Sequence, residues 1–395
     1  MAPPTGPWND PASITAVGTG EKCRVYYLGG KWVAFSNDAL AFHIRTATDP
    51  TGTWTDATLP SIPSGYDSFI FATNMAYDGS GTWAVCMGLS GSSGTIFRML
   101  YATDPAGTWS FQDFGAGAGP YWVEGYDALT YGNGTWAVVG YQDLGPSVAH
   151  PAFVAACSTI TGTWTFSVGS TATGYDITGY GASERWLPGA IIWDGTYWIT
   201  VAHTNQAAVI DRGGIRTSTS LTSGWSAPTF PSFWHNYLWV LRQHSNGYYT
   251  ISGIRDGIVI GSPSNFDRIV YATSPTGTWS LTTAGNMAPT YGQTHEVVYT
   301  GGLWAATSDS EEVFTYSSTG APTGTFTAVT GMTLGTSYPY SIATDGTYLV
   351  VGWENGPVQW AGAKARRYLR QRQSPRSNPT RVGQVPSLRQ RQTFI

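Results

Sequence analysis

Six acidic residues, Glu21, Asp67, Glu124, Asp127, Glu184 and Glu296, each stand where an extended run of apolar and aromatic residues is about to begin. Carboxylates gathered around one opening could cleave a glycosidic bond. That reaction needs two carboxyl groups about 5 to 10 Å apart, one to protonate the leaving oxygen and one to act as nucleophile or base. Glu124 and Glu296 are the candidates for those roles. The plainer reading, preferred here, is that all six are solvated residues at strand starts, which the excess of acids over bases makes common.

A second set suits binding rather than bond breaking. Tyr66, Tyr121, Trp122, Trp186, Phe233 and Trp234, with Glu124 and His235 beside them, lie in irregular connectors. Exposed rings combine a flat apolar face with a polar edge, which fits sugar or protein recognition. Packing between structural units is the competing role.

Other chemistries lack a pattern. His43, His150, His203, His235, His244 and His295 form no HxxxH, HxH or Cys/His cluster, and Asp309, Glu311 and Glu312 lack a calcium loop around them, so no metal or cofactor is expected. No phosphate-binding glycine loop or nucleophile elbow stands in a useful context. Cys23, Cys86 and Cys157 are far apart and odd in number, and are expected to be buried free thiols.

Two alternating phrases must position these residues. The first is a glycine turn leading into an aromatic-led strand, at 28–35, 78–88, 132–140, 194–202, 246–253, 301–308 and 345–352. The second is a strand, a tight turn and a Trp (Phe in the last copy), at 46–54, 101–109, 157–164, 217–225, 271–279 and 317–326. A further copy of the second is split across the termini, PTGPW at 4–8 supplying its end and PVQWAG at 357–362 its beginning.

Each unit of about 45 to 60 residues then holds four short strands, too few to bury both faces alone, so units must pack on one another. The expectation is an all-β chain: a seven-bladed β-propeller over residues 1–363, closed by N-terminal strand exchange, followed by an extended basic C-terminal arm over 364–395. Six or eight blades are the alternatives, should a degenerate unit not form one. Turns joining strands 1 to 2 and 3 to 4 share one end of the propeller and hardly vary in length, which marks that end as scaffold. The irregular connectors share the other end, where recognition is expected.

The turns of the second phrase, with Asp49 and Asp104 five residues before their Trp, resemble the Asp-box of sialidases, although the glycine lies two rather than three before the Trp. In that family the box is a structural hairpin, which implies that Asp49 and Asp104 brace their turns. The sialidase carboxylate clamp needs three arginines, and its first motif is absent.

Charge separates the two parts. Nine of the twenty basic residues follow Ala363 and all 24 acidic residues precede it, so the body carries 11 − 24 = −13 and the arm +9. An Arg-, Gln- and Pro-rich segment cannot bury enough apolar surface to fold by itself. An extended strand would place Arg370 and Arg372 on one face and Gln371 and Gln373 on the other, a pattern repeated at Arg389 and Arg391.

The two LRQRQ blocks, 369–373 and 388–392, resemble the endings of minor tail proteins of phages that infect actinobacteria. The resemblance implies a virion structural protein of the tail tip. Its arm, through Arg366, Arg367, Arg370, Arg372, Arg376, Arg381, Arg389 and Arg391, would dock on other tail proteins, while the propeller would meet a host cell-surface glycan or protein. A glycan hydrolase of the cell envelope, and an anionic-polymer binder acting through the arm, are the competing functions. The first residues lack a basic segment followed by an apolar one, and no run of about 18 apolar residues occurs, so neither secretion by signal peptide nor membrane insertion is expected. The acidic body repels nucleic acid.

Overall fold

The computed structural model describes residues 22–37, 42–113, 121–123, 125, 127–142, 152–168, 186–204, 213–231, 240–254, 268–282, 294–308, 312–329, 339–353 and 359–362. All belong to the compact unit Met1–Ala365. Among the described residues there are strands and turns and no helix.

The strands form seven antiparallel sheets, each read here in strand order. Sheet 1 holds Lys22–Leu28, Lys31–Asn37, Phe42–Ala47 and Thr55–Asp56. Sheet 2 holds Ser68–Tyr77, Trp83–Gly91, Gly94–Ala102 and Ser110–Asp113. Sheet 3 holds Leu129–Gly132, Thr135–Gln142, Ala152–Cys157 and Thr165–Val168, with Tyr121–Trp122 added on its second strand. Sheet 4 has three strands, Trp186–Trp193, Trp198–Thr204 and Gly213–Ser218. Sheet 5 holds Val240–Gln243, Tyr249–Ile254, Arg268–Ala272 and Ser280–Leu281, and sheet 6 holds Thr294–Thr300, Leu303–Ser308, Glu312–Ser317 and Thr327–Ala328. Sheet 7 has three strands, Pro339–Thr344, Tyr348–Trp353 and Gln359–Gly362.

The first strands of successive sheets adjoin one another in order, and that of sheet 7 returns to that of sheet 1. A ring of antiparallel sheets whose first strands line the centre is a β-propeller.

Two sheets depart from four strands. In sheet 4 the fourth strand shrinks to a single bridge between Thr217 and Ser226. In sheet 7 the third strand comes from the PVQWAG segment, while residues 4–8, expected to complete it, lie outside the described residues.

The turns follow from their residues. Gly29 and Gly30, Asn133 and Gly134, and Gly301 and Gly302 all have positive φ. These pairs make the two-residue hairpin turns whose twist matches that of the flanking strands. Where the phrase begins with Asp, the carboxylate replaces that geometry. Asp78 accepts the N–H groups of Ser80, Gly81 and Thr82 at 2.8–2.9 Å, and Asp345 those of Thr347 and Tyr348 at 2.7 Å.

The outer turns close on themselves as well. Asp49 accepts the N–H of Thr51, and Asp104 that of Ala106. Four residues after the turn's Pro, the indole N–H of Trp54, Trp109 and Trp279 donates back to the carbonyl of Pro50, Pro105 and Pro275 at 3.1–3.3 Å. Trp109 and Trp279 are fully buried, so one side chain both fills the space between sheets and caps the turn. All three cysteines are buried, and none is in a disulfide.

Candidate functional site

The seven first strands bring their side chains to one axis. Near its middle the guanidinium of Arg242, on the first strand of sheet 5, joins two carboxylates. Its Nε and Nη2 donate to Glu296 Oε1 of sheet 6 at 3.0 and 2.5 Å, and its Nη1 donates to Asp127 Oδ2, just before the first strand of sheet 3. Backbone amides complete the set: Ile342 of sheet 7 donates to Glu296 Oε2 at 3.1 Å, and Leu241 to Asp127 Oδ2 at 3.3 Å. One polar cluster therefore ties sheets 3, 5, 6 and 7 across the axis.

Asp127 and Glu296 are buried, and Arg242 is 24% exposed. Burial works against the Arg242 charge, but Asp127 and Glu296 outweigh it and hold the guanidinium protonated. Burial pushes the Glu296 carboxyl above its ordinary range, against the pull of Arg242. It also pushes up the phenol of Tyr26, which sits nearby on sheet 1.

From this cluster a cavity of about 810 Å³ opens toward the turns that join strands 1 and 2. Arg242 and Glu296 form its deep end with Tyr26, Asn74 and Ile342; its mouth is made by the ends of the first strands, including Leu28, Tyr77 and Tyr131, and by the turns that follow, including Ser245, Gly301 and Gly346. Asn74 is committed to the sheet 2 to sheet 3 junction, its side-chain amide exchanging two hydrogen bonds with the backbone of Leu129 at 2.6 and 3.0 Å. His244 is buried, bonded to Thr250 Oγ1 at 2.7 Å and set edge-on to Trp304. Burial, reinforced by the charge of Arg242, lowers its pKa to about 3, so it is neutral near pH 7.

The mouth carries a repeated aromatic pair. Tyr27 packs on Trp32, Tyr77 on Trp83, Tyr131 on Trp136, Trp193 on Trp198 and Tyr299 on Trp304, with ring centroids 4.6–5.1 Å apart and the ring planes tilted by 33–58°. Each pair sits at directly opposed positions of strands 1 and 2. Cross-strand aromatic pairs stabilise a hairpin, and here they also aim rings. Tyr27, Tyr77, Tyr131 and Tyr299 line the cavity, whereas Trp193 does not. Trp193 and Tyr77 both rest on the glycine turn of the preceding sheet, since a Cβ at Gly132 would meet Trp193 Cβ at 2.1 Å and one at Gly29 would meet Tyr77 Cε1 at 2.8 Å.

Of the residues named from sequence, Asp127 and Glu296 belong to the Arg242 cluster. Glu296 is not a free acid, because its oxygens are taken by Arg242 and Ile342. The expected pairing of Glu296 with Glu124 has no support here, since Glu124 lies outside the described residues. Tyr66 is half-buried in the connector before sheet 2, and Trp122 is half-buried with its ring edge-on to Phe97 of sheet 2 at 5.7 Å, a contact between sheets. Tyr121 and Trp186 are in strands; Trp234, His235 and the arm arginines lie outside the described residues.

Sequence reasoning did not single out Tyr27, Tyr77, Tyr131 and Tyr299, and it expects recognition at the other end of the propeller. The signal was an aromatic five residues before the strand-2 Trp (six at Tyr77), the spacing that a two-residue turn imposes on opposed positions one step from the turn. Asp127 was noticed singly, but nothing in the sequence joins it to Arg242, 115 positions away.

Among the described residues no group of three or more His, Cys, Asp and Glu could hold a metal ion. No family model matches the chain, and comparison with curated protein sequences finds no match. Solved structures do share its fold. YCF48 from Cyanidioschyzon merolae superposes with a TM-score of 0.54 at 10% identity, over 90% of this chain and 99% of that one. YCF48 bound to D1 peptide gives 0.52 at 11% identity, over 90% and 97%. The GH74 xyloglucanase from Xanthomonas campestris gives 0.58 at 12% identity, over 90% of this chain and 55% of that one. At such identities the likeness shows a β-propeller, and function has to be argued from the residues of this chain.

Proposed function

We propose that this chain is a non-enzymatic recognition propeller that serves as a structural protein of a phage tail tip. Residues 364–395 anchor it among other tail proteins, and the propeller meets a glycan or protein of the host surface. In this reading the ring has seven blades, and residues 4–8 complete sheet 7 as its fourth strand.

The observation that favours recognition over hydrolysis is the Arg242 bridge. A general acid or nucleophile must be free to exchange a proton or attack carbon. Glu296 holds two guanidinium N–H groups and one amide N–H instead, and Asp127 shares the same guanidinium. Freeing either carboxylate would strand a buried charge.

The assembly half rests on the charge division between body and arm and on the two LRQRQ blocks. Deleting residues 364–395 is expected to leave a folded propeller with an unchanged melting temperature that no longer enters particles. Incorporation of the truncated protein at the normal level would refute the anchoring role.

A further inference from the structure

The cavity at the tight-turn end has no part in the reading above, which expects contact through the irregular connectors. We infer that this cavity binds the end of a neutral oligosaccharide chain. The inference deepens the recognition half of the proposed function and rests on it, while moving the site to the opposite end of the propeller.

Size comes first. A volume of about 810 Å³ falls inside the range of roughly 300–1,000 Å³ typical of small-molecule sites. It is wide enough for several sugar units rather than a single ion.

Charge then selects the ligand. Arg242 is the one cation among the described lining residues, and four of its five N–H groups are engaged: Nε and one of Nη2 on Glu296, Nη1 on Asp127 and on the carbonyl of Leu241 at 3.2 Å. An anionic ligand would enter against the carboxylates of Glu296 and Asp345, which also line the space, and Arg242 has no two-pronged edge left to clamp it. His244 adds no charge. Carboxylated or phosphorylated ligands are therefore disfavoured.

Compact cations are disfavoured by the arrangement of the rings. A quaternary ammonium needs aromatic faces that converge on one point. Here Tyr27, Tyr77, Tyr131 and Tyr299 belong to four different sheets, each tilted against the Trp of its own sheet. Rings spaced around a mouth, with Tyr27 37% exposed, offer successive apolar platforms to an extended ligand. Between them stand Gln243, which gives one amide hydrogen to Tyr249 Oη at 3.1 Å, with Ser245 and Thr344. Flat apolar faces alternating with uncharged hydrogen-bonding groups match pyranose or furanose rings, whose CH faces stack and whose hydroxyls bond.

The test is titration calorimetry on the full-length protein with cellotetraose, maltotetraose, galactotetraose and arabinotetraose, alongside tetragalacturonate and choline. At least one neutral tetrasaccharide is expected to bind, and Tyr27→Ala and Tyr299→Ala are each expected to weaken it about tenfold. Tyr27→Phe and Tyr299→Phe keep the stacked ring and are expected to keep most of the affinity, which separates loss of the platform from loss of folding. Three results would overturn the inference: no neutral tetrasaccharide binding at millimolar concentration, binding untouched by both alanine variants, or binding confined to tetragalacturonate or choline. Neutral saccharide binding that survives Tyr27→Ala but is lost in Tyr66→Ala would keep the recognition reading and place it back on the connectors.

Discussion

Two rings of turns share one end of this propeller, and they use similar residues to opposite ends. The outer ring, joining strands 3 and 4, turns its polar groups inward: Asp49 and Asp104 brace their own backbone, and Trp54, Trp109 and Trp279 donate to the carbonyl at the head of their turns. The inner ring, joining strands 1 and 2, also spends its Asp residues on backbone, yet it sends four tyrosines into a shared cavity. Distance from the axis makes the difference. An aromatic on an outer turn is buried between neighbouring sheets, whereas one on an inner turn stands at the edge of the central opening. A repeat therefore yields scaffold at large radius and a multivalent surface at small radius.

The sharpest way to break this contrast is at the bottom of the cavity. Arg242→Ala leaves Asp127 and Glu296 buried without their counter-charge, and is expected to cost about 5 kcal/mol. Chemical denaturation should show the loss directly. A cost below about 1 kcal/mol would mean that the cluster does not hold the sheets together.

An outer-ring substitution should separate stability from binding. Trp109→Ala removes a fully buried indole and the cap of its turn, and is expected to cost about 3 kcal/mol in the same measurement. Saccharide affinity should be unchanged, the reverse of the result expected for Tyr27→Ala.

A smaller, pH-dependent effect belongs to His244. Its folded pKa of about 3 lies below the ordinary value of 6.5, so the unfolded chain takes up the proton first. Its stabilising contribution is complete above pH 6.5 and is lost as pH falls toward 3, with a slope on the order of 1 kcal/mol per pH unit. His244→Gln should flatten that part of the stability profile between pH 6 and 4, followed by denaturation at each pH.

The smallest effect is expected at the outer edge. The Arg45 to Asp56 ion pair, 2.7 Å long, leaves Asp56 71% exposed, and Asp56→Ala should shift stability by about 0.5 kcal/mol or less. Its loss should be masked at high salt.

What could be read from the chain follows the same radial division. The glycine-turn and Trp phrases mark the second and third strands of every sheet, because hairpin geometry is local and a two-residue turn imposes its own residue types. The bracing roles of Asp49 and Asp104 were legible for the same reason. The axis was not. Arg242, Asp127 and Glu296 meet only because the ring closes, and their spacing in sequence carries no trace of it. Glu296 looked like a candidate acid because a carboxylate at a strand start is ambiguous until its partners are known. Tyr27, Tyr77, Tyr131 and Tyr299 were hidden in plain repetition, since the strand-2 Trp drew attention and its partner across the turn did not.

Whether the carboxylates at the axis are structural is the claim on which the rest depends, and measuring reducing ends from neutral cell-envelope polysaccharide incubated with the purified protein tests it most directly. The expected result is no release of reducing ends above the protein-free control, in either the native protein or Glu296→Gln. Release by the native protein that disappears in Glu296→Gln would make Glu296 a catalytic acid and contradict the account.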